Sequence, residues 1–211
     1  MRRDAREKLE QEIRELCRRN DVARAVTRAL EGFGPELMGL MVSQLSDYER
    51  GQEAYSLFSE NLWRGLPGFR WESSFRTWAY RLARNACYQL MRRESARPER
   101  PMGISAVPDV AMSSRSDSPP WQHTTMKDRL HVLYERLSPP QRMLLFLRVE
   151  RQMSWPEVAR VMAEEEWELT DLELKRKAAA LRQQFKQLKD HLRSLFQKEG
   201  FLAAEASSTL L

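Results

Sequence analysis

Between Ser74 and Arg93 the sequence holds five arginines and no acid. On a helix, at about 100° per residue, Phe75, Trp78, Ala79, Leu82, Ala86 and Leu90 share one apolar arc. The opposite arc carries Arg76, Thr77, Tyr80, Arg81, Arg84, Asn85, Tyr88 and Arg92. Arginines interleaved with tyrosines suit a polyanion whose bases can stack, which means a nucleic-acid strand. Taken alone, such a helix could equally be a solvated basic face.

A second stretch carries chemistry of a related kind. From Thr170 to about Gln197, Leu174, Leu181, Phe185, Leu188, Leu192 and Leu195 form one helical stripe. Lys175, Arg176, Arg182, Gln183, Lys186, Gln187 and Arg193 face away from it. Arginine and glutamine can make paired hydrogen bonds to guanine and adenine edges in the major groove. A shorter helix opening at Ser154-Trp155-Pro156-Glu157 precedes it, the layout of a helix-turn-helix reader.

Catalysis has little to stand on. His123, His131 and His191 are scattered, and no HExxH, GxSxG, P-loop or CxxC pattern occurs. Cys17 and Cys87 lack metal-ligand spacing and read as two reduced thiols. No cofactor or metal is expected. The net charge of +5 favours an anionic partner. The first 20 residues are too charged for a secretory signal, and runs such as Met143–Leu147 fall far short of the ~20 residues of a membrane span. These features describe a cytoplasmic protein without a membrane partner.

The elements that must position these residues are all helical by pattern. A charged helix at 4–19 carries Leu9, Ile13, Leu16 and Cys17 on one stripe. Asn20 or Asp21 can cap the next helix, which Gly32-Phe33-Gly34-Pro35 is expected to break before a further helix at 36–45. Another is expected over 50–65, ended by Pro67-Gly68. Five of the ten prolines and six serines then fall in 94–125, a flexible linker by composition. Capping-box patterns at Ser138, Ser154 and Thr170 mark helix starts in the second half. The expected fold is all-α. Its parts are a charged helix at 1–19, a helical domain at 20–93, the linker at 94–125, a helix-turn-helix domain at 126–197 and a tail at 198–211.

The run Phe75-Arg76-Thr77-Trp78-Ala79-Tyr80-Arg81-Leu82-Ala83-Arg84-Asn85 resembles the promoter-binding helix of bacterial extracytoplasmic-function (ECF) sigma factors. Leu62 to Phe69 resembles the end of the helix by which those factors grip core RNA polymerase. Leu137 to Arg142, Ser154 to Ala159 and Ala180 to Lys189 are similar to the domain that reads the −35 element. The resemblance implies a sigma domain 2-like bundle and a sigma domain 4-like helix-turn-helix. Its implied partners are core RNA polymerase, the −35 duplex and the opened −10 strand, with an anti-sigma factor as a further partner by analogy.

Carried over residue by residue, the resemblance gives Trp71, Arg76, Tyr80, Arg81, Arg84 and Asn85 to the −10 strand. Arg182, Gln183, Lys186 and Gln187 go to the −35 element, and Glu53, Leu57, Phe58, Leu62 and Trp63 to polymerase. The sequence departs from the family in three places. Gly51-Gln52-Glu53-Ala54 keeps one of the usual paired acids, Trp71 replaces a small residue, and 164–169 lengthens the turn between the reading helices. A stand-alone helix-turn-helix regulator and a degenerate sigma-like protein that binds polymerase without opening DNA remain as alternatives.

Overall fold

Short polar side chains set the helix starts of the first half, each accepting an amide that no preceding turn can reach. Asp21 accepts from the Arg24 amide at 3.2 Å and opens α2 (Val22–Leu45). Asp47 accepts from the Arg50 amide at 2.7 Å and opens α3 (Tyr48–Gly65). Ser74 accepts from the Thr77 amide at 3.1 Å and opens α4 (Phe75–Ser95). Ahead of these runs α1 (Arg3–Arg18). A 3-10 turn at Leu66–Gly68 separates α3 from the loop before α4.

The structure, a computed structural model, describes residues 3–96, 134, 136–163 and 170–198. Every regular element among them is helical, as expected. The chain divides into two units, residues 1–114 and 115–211, taken one at a time below. Most of the linker expected at 94–125, the lengthened turn at 164–169 and the tail beyond 198 lie outside the described residues; Glu94 and Ser95 belong to α4.

In the first unit the break expected at Gly32-Phe33-Gly34-Pro35 does not occur, and α2 runs through all four residues. The two glycines serve close packing. A Cβ at Gly32 would run into the Leu9 side chain of α1, and one at Gly34 would lie 2.5 Å from the Tyr55 hydroxyl of α3. Pro35 still costs about 3 kcal/mol of helix by its missing N–H and its crowding of the preceding turn. Phe33, Leu37, Leu40 and Met41 are all buried on the same helix. At roughly 1.5–3 kcal/mol for each large apolar side chain removed from water, their burial outweighs that cost. Facing them are Ala54, Phe58 and Leu62 of α3, Phe75, Trp78 and Ala79 of α4, and Leu9 and Ile13 of α1.

Ion pairs also join these helices. Arg28 of α2 reaches Glu12 of α1 at 2.6 Å and Glu31 at 3.0 Å. Arg50 of α3 meets both carboxylate oxygens of Glu94 at 2.9 and 2.5 Å and donates to the Leu45 carbonyl at 3.0 Å.

The second unit contains α5 (Pro139–Leu145), a π-helical turn (Phe146–Glu150), α6 (Trp155–Val161) and α7 (Asp171–Lys198). The three sequence-predicted capping boxes are formed. Ser138 donates its amide to Gln141 at 2.9 Å, Ser154 to Glu157 at 2.7 Å and Thr170 to Glu173 at 2.8 Å. The Thr170 bonds hold the Glu173 carboxyl below its usual range. Leu174, Ala178, Leu181 and Leu188 bury one stripe of α7, beside buried Met143, Leu147, Val158 and Val161 of the same unit.

Candidate nucleic-acid interface

Five aromatic side chains build the floor of the first unit's candidate site. Phe69 and Trp78 stack with centroids 4.6 Å apart, and Phe75 packs its edge on Trp78 at 5.6 Å. Phe33 touches Phe75 at 5.5 Å, and Trp71 leans on Phe69 at 4.9 Å. Trp71 holds a φ of +61°, where a bulky L-residue is strained by roughly 1–3 kcal/mol. That backbone brings the Trp71 ring against Phe69, half-exposed, with the Arg14 guanidinium over it at 5.3 Å.

The N-terminus of α4 is closed from two directions. Ser74 takes the Thr77 amide, while Glu10 of α1 takes the amides of Phe75 at 3.3 Å and Arg76 at 3.1 Å. An anion there also meets the positive end of the helix dipole. Burial raises the Glu10 carboxyl above its usual value, against the two amides and the charges of Arg6 and Arg76, which lower it. Arg76 donates from Nε to Glu36 of α2 at 3.2 Å, with both side chains largely hidden from water.

This closure corrects the outward placement expected for part of the basic arc. Arg76, Tyr80 and Arg84 are buried at 3%, 0% and 3% exposure, and Thr77 is buried with them. The reason is tertiary. Glu10 and Glu36 approach α4 from two other helices, and the guanidiniums lie over tyrosine rings of the same helix, Arg76 over Tyr80 at 5.0 Å and Arg84 over Tyr88 at 4.9 Å. Leu82, expected in the apolar arc, is half-exposed instead. Of the six residues carried to the −10 strand, Asn85 is exposed and Trp71 and Arg81 are half-exposed.

The five residues carried to polymerase split in the same way. Phe58 and Leu62 belong to the core, at 1% and 0% exposure. Glu53 is exposed, Leu57 half-exposed, and Trp63 stands 51% exposed on the outer side of α3. In the second unit Arg182, Gln183, Lys186 and Gln187 are all exposed on α7, where they were expected.

Four contributing residues escaped the sequence reading. Glu10 and Arg14 sit on α1, more than 55 positions from the residues they touch, with no local pattern to mark them. In the second unit Trp155 carries two guanidiniums on one ring, Arg148 at 4.4 Å and Arg182 at 5.6 Å. The capping box fixed the position of Trp155 but not what gathers around it.

Among the described residues no group of His, Cys, Asp and Glu could hold a metal ion, and no helix is long and apolar enough to cross a membrane. Residues 30–97 match the family model for sigma-70 region 2. The match spans about a third of the chain and contains α3, the aromatic loop and α4, while α1 and the second unit lie outside it. No curated protein matches the chain. The match supports a sigma-factor-like role in transcription initiation, with core RNA polymerase and promoter DNA as the partners that region 2 implies.

Proposed function

We propose that the chain is a sigma factor of the ECF type, a promoter-specificity subunit that works with core polymerase in the cytoplasm and is not itself an enzyme. The observation that carries this reading is the pairing, inside the segment matching region 2, of a helix bearing an exposed tryptophan with a cationic, aromatic helix. Polymerase would be held by Glu53, Leu57 and Trp63, backed by Phe58 and Leu62 from the core beneath. The opened −10 strand would meet Trp71, Arg81 and Asn85. Arg76, Tyr80 and Arg84 would act from below, fixing the helix that presents them.

Each base stacked on an aromatic ring contributes ~1–3 kcal/mol. That offsets the few kcal/mol lost when a base leaves the duplex stack. Residues 126–197, within the second unit, would lay α7 in the −35 major groove, with Gln183, Lys186 and Gln187 toward base edges and Arg182 beside them.

The reading is tested by mixing the full chain with purified core polymerase on a sizing column. A one-to-one complex that Trp63→Ala weakens is expected. Co-elution unchanged by Trp63→Ala would remove α3 as the gripping surface. DNA binding with no polymerase binding would favour a stand-alone regulator.

A further inference from the structure

The ring shared by two arginines in the second unit lies outside the segment matched to region 2. Arg148 comes from the π-helical turn and Arg182 from α7, and both guanidiniums settle on the indole of Trp155 at the start of α6. Like charges gather at one ring only if its face offsets their repulsion and water screens the rest. Among the described residues neither guanidinium has a carboxylate within ion-pair distance. Arg148 is further fixed by donating from Nη1 to the Met153 carbonyl, and Gln152 turns the chain there through a φ of +50°. Phe185 of α7 closes edge-on against the same indole at 5.7 Å, so ring and arginines are locked to two helices.

The stretch of α7 that carries Arg182 is positive. From Lys175 to Lys189 the helix carries six cations and no acid. Arg182, Lys186 and Lys189 fall at i, i+4 and i+7, one side of α7, with Lys189 over Phe185 at 5.4 Å. A straight row of cations spaced by helical turns fits a linear polyanion of evenly spaced charge better than an acidic patch on a protein.

The geometry points to a backbone-phosphate clamp for duplex DNA made of Arg148 and Arg182, with Trp155 as the residue that positions both. The clamp rests on the promoter-reading function proposed above for this unit, and it makes Arg182 a backbone contact. Base reading then falls to Gln183, Lys186 and Gln187. Phosphate contacts fix register and carry no sequence information, so the clamp acts equally on any duplex.

That independence supplies the test. Binding of the full chain to fluorescein-labelled 30-base-pair duplexes of two unrelated sequences is measured by anisotropy between 50 and 200 mM salt. Arg148→Ala and Arg182→Ala should each weaken binding about tenfold on both duplexes. Each should also reduce the slope of log K against log salt by about 0.9. Arg148→Lys should restore the slope, which separates lost charge from lost folding. Trp155→Leu should lose slope while Trp155→Phe, which keeps a ring, retains it. Unchanged slopes, or an Arg182→Ala loss confined to one sequence, would overturn the clamp. So would a loss of polymerase affinity with DNA binding unchanged, which would make the patch a protein-docking surface. Polymerase binding by the wild-type chain is scored separately, so failure of the clamp and failure of the sigma reading are told apart.

Discussion

Glu10 offers the sharpest perturbation of the first unit, because one carboxylate on α1 closes two amides at the head of α4. Glu10→Ala leaves the Phe75 and Arg76 amides without their acceptor. Hydrogen bonds to a charged partner contribute about 1.5–3 kcal/mol each. Part of that is returned, because the carboxylate no longer has to be kept from water. A net loss of about 2 kcal/mol is expected, the upper end of a helix-cap deletion. With a urea dependence of about 2 kcal/mol/M, the unfolding midpoint of this unit should fall by about 1 M.

Glu10→Gln keeps one of the two acceptor oxygens but turns an NH2 donor toward the other amide, so it should lose at least half as much. It also isolates the pH term. Burial raises the Glu10 carboxyl above its ordinary 4.5, so the folded state binds the proton more tightly than the unfolded chain. The stability this group contributes is therefore fully present below about pH 4.5 and is lost as pH rises through the folded value. The wild-type advantage over Glu10→Gln should grow as pH falls from 7 towards 4.5. The assay is urea unfolding followed by tryptophan fluorescence, with Trp63, Trp71 and Trp78 reporting this unit. A Glu10→Ala midpoint within 0.2 M of wild type would refute the view that α1 closes the head of α4.

Three further outcomes follow from burial and pairing. Arg76→Ala should cost about 3–5 kcal/mol by stranding Glu36 in a dry site, and Arg76→Ala with Glu36→Gln should recover part of that in the same urea assay. Leu62→Ala should cost about 2–5 kcal/mol, whereas Trp63→Ala on the same helix should stay within about 0.5 kcal/mol yet weaken the polymerase complex. Burial pushes the Cys87 thiol up to about 12, so a disulfide reagent at pH 8 should label half-exposed Cys17 first and reach Cys87 only on unfolding; prompt double labelling of the native chain would contradict its burial.

What was legible in the sequence was mostly local. A serine or threonine three places before a glutamate or glutamine, just ahead of an apolar run, can close a capping box, so Ser138, Ser154 and Thr170 marked their helices. The outward row on α7 was equally readable, because one buried stripe leaves the other side to water. Gly32, Gly34 and Pro35 misled, since a glycine that ends a helix and one that admits Leu9 or Tyr55 look alike in one dimension. Arg76 and Arg84 misled for a related reason. Periodicity sorts residues by polarity, and a buried arginine is decided by partners such as Glu36, 40 positions away. Trp71 stood out as an unusual residue in its loop, but its positive φ and its arginine cover belong to the tertiary structure.

The most direct test is transcription reconstituted from the full chain, purified core RNA polymerase and a pool of genomic fragments that includes the region upstream of its own gene. A discrete transcript that requires the chain, and that defines −35 and −10 elements upstream of its start, is expected. A chain that binds core polymerase yet directs no transcript from any fragment would contradict the promoter-specific function proposed for it.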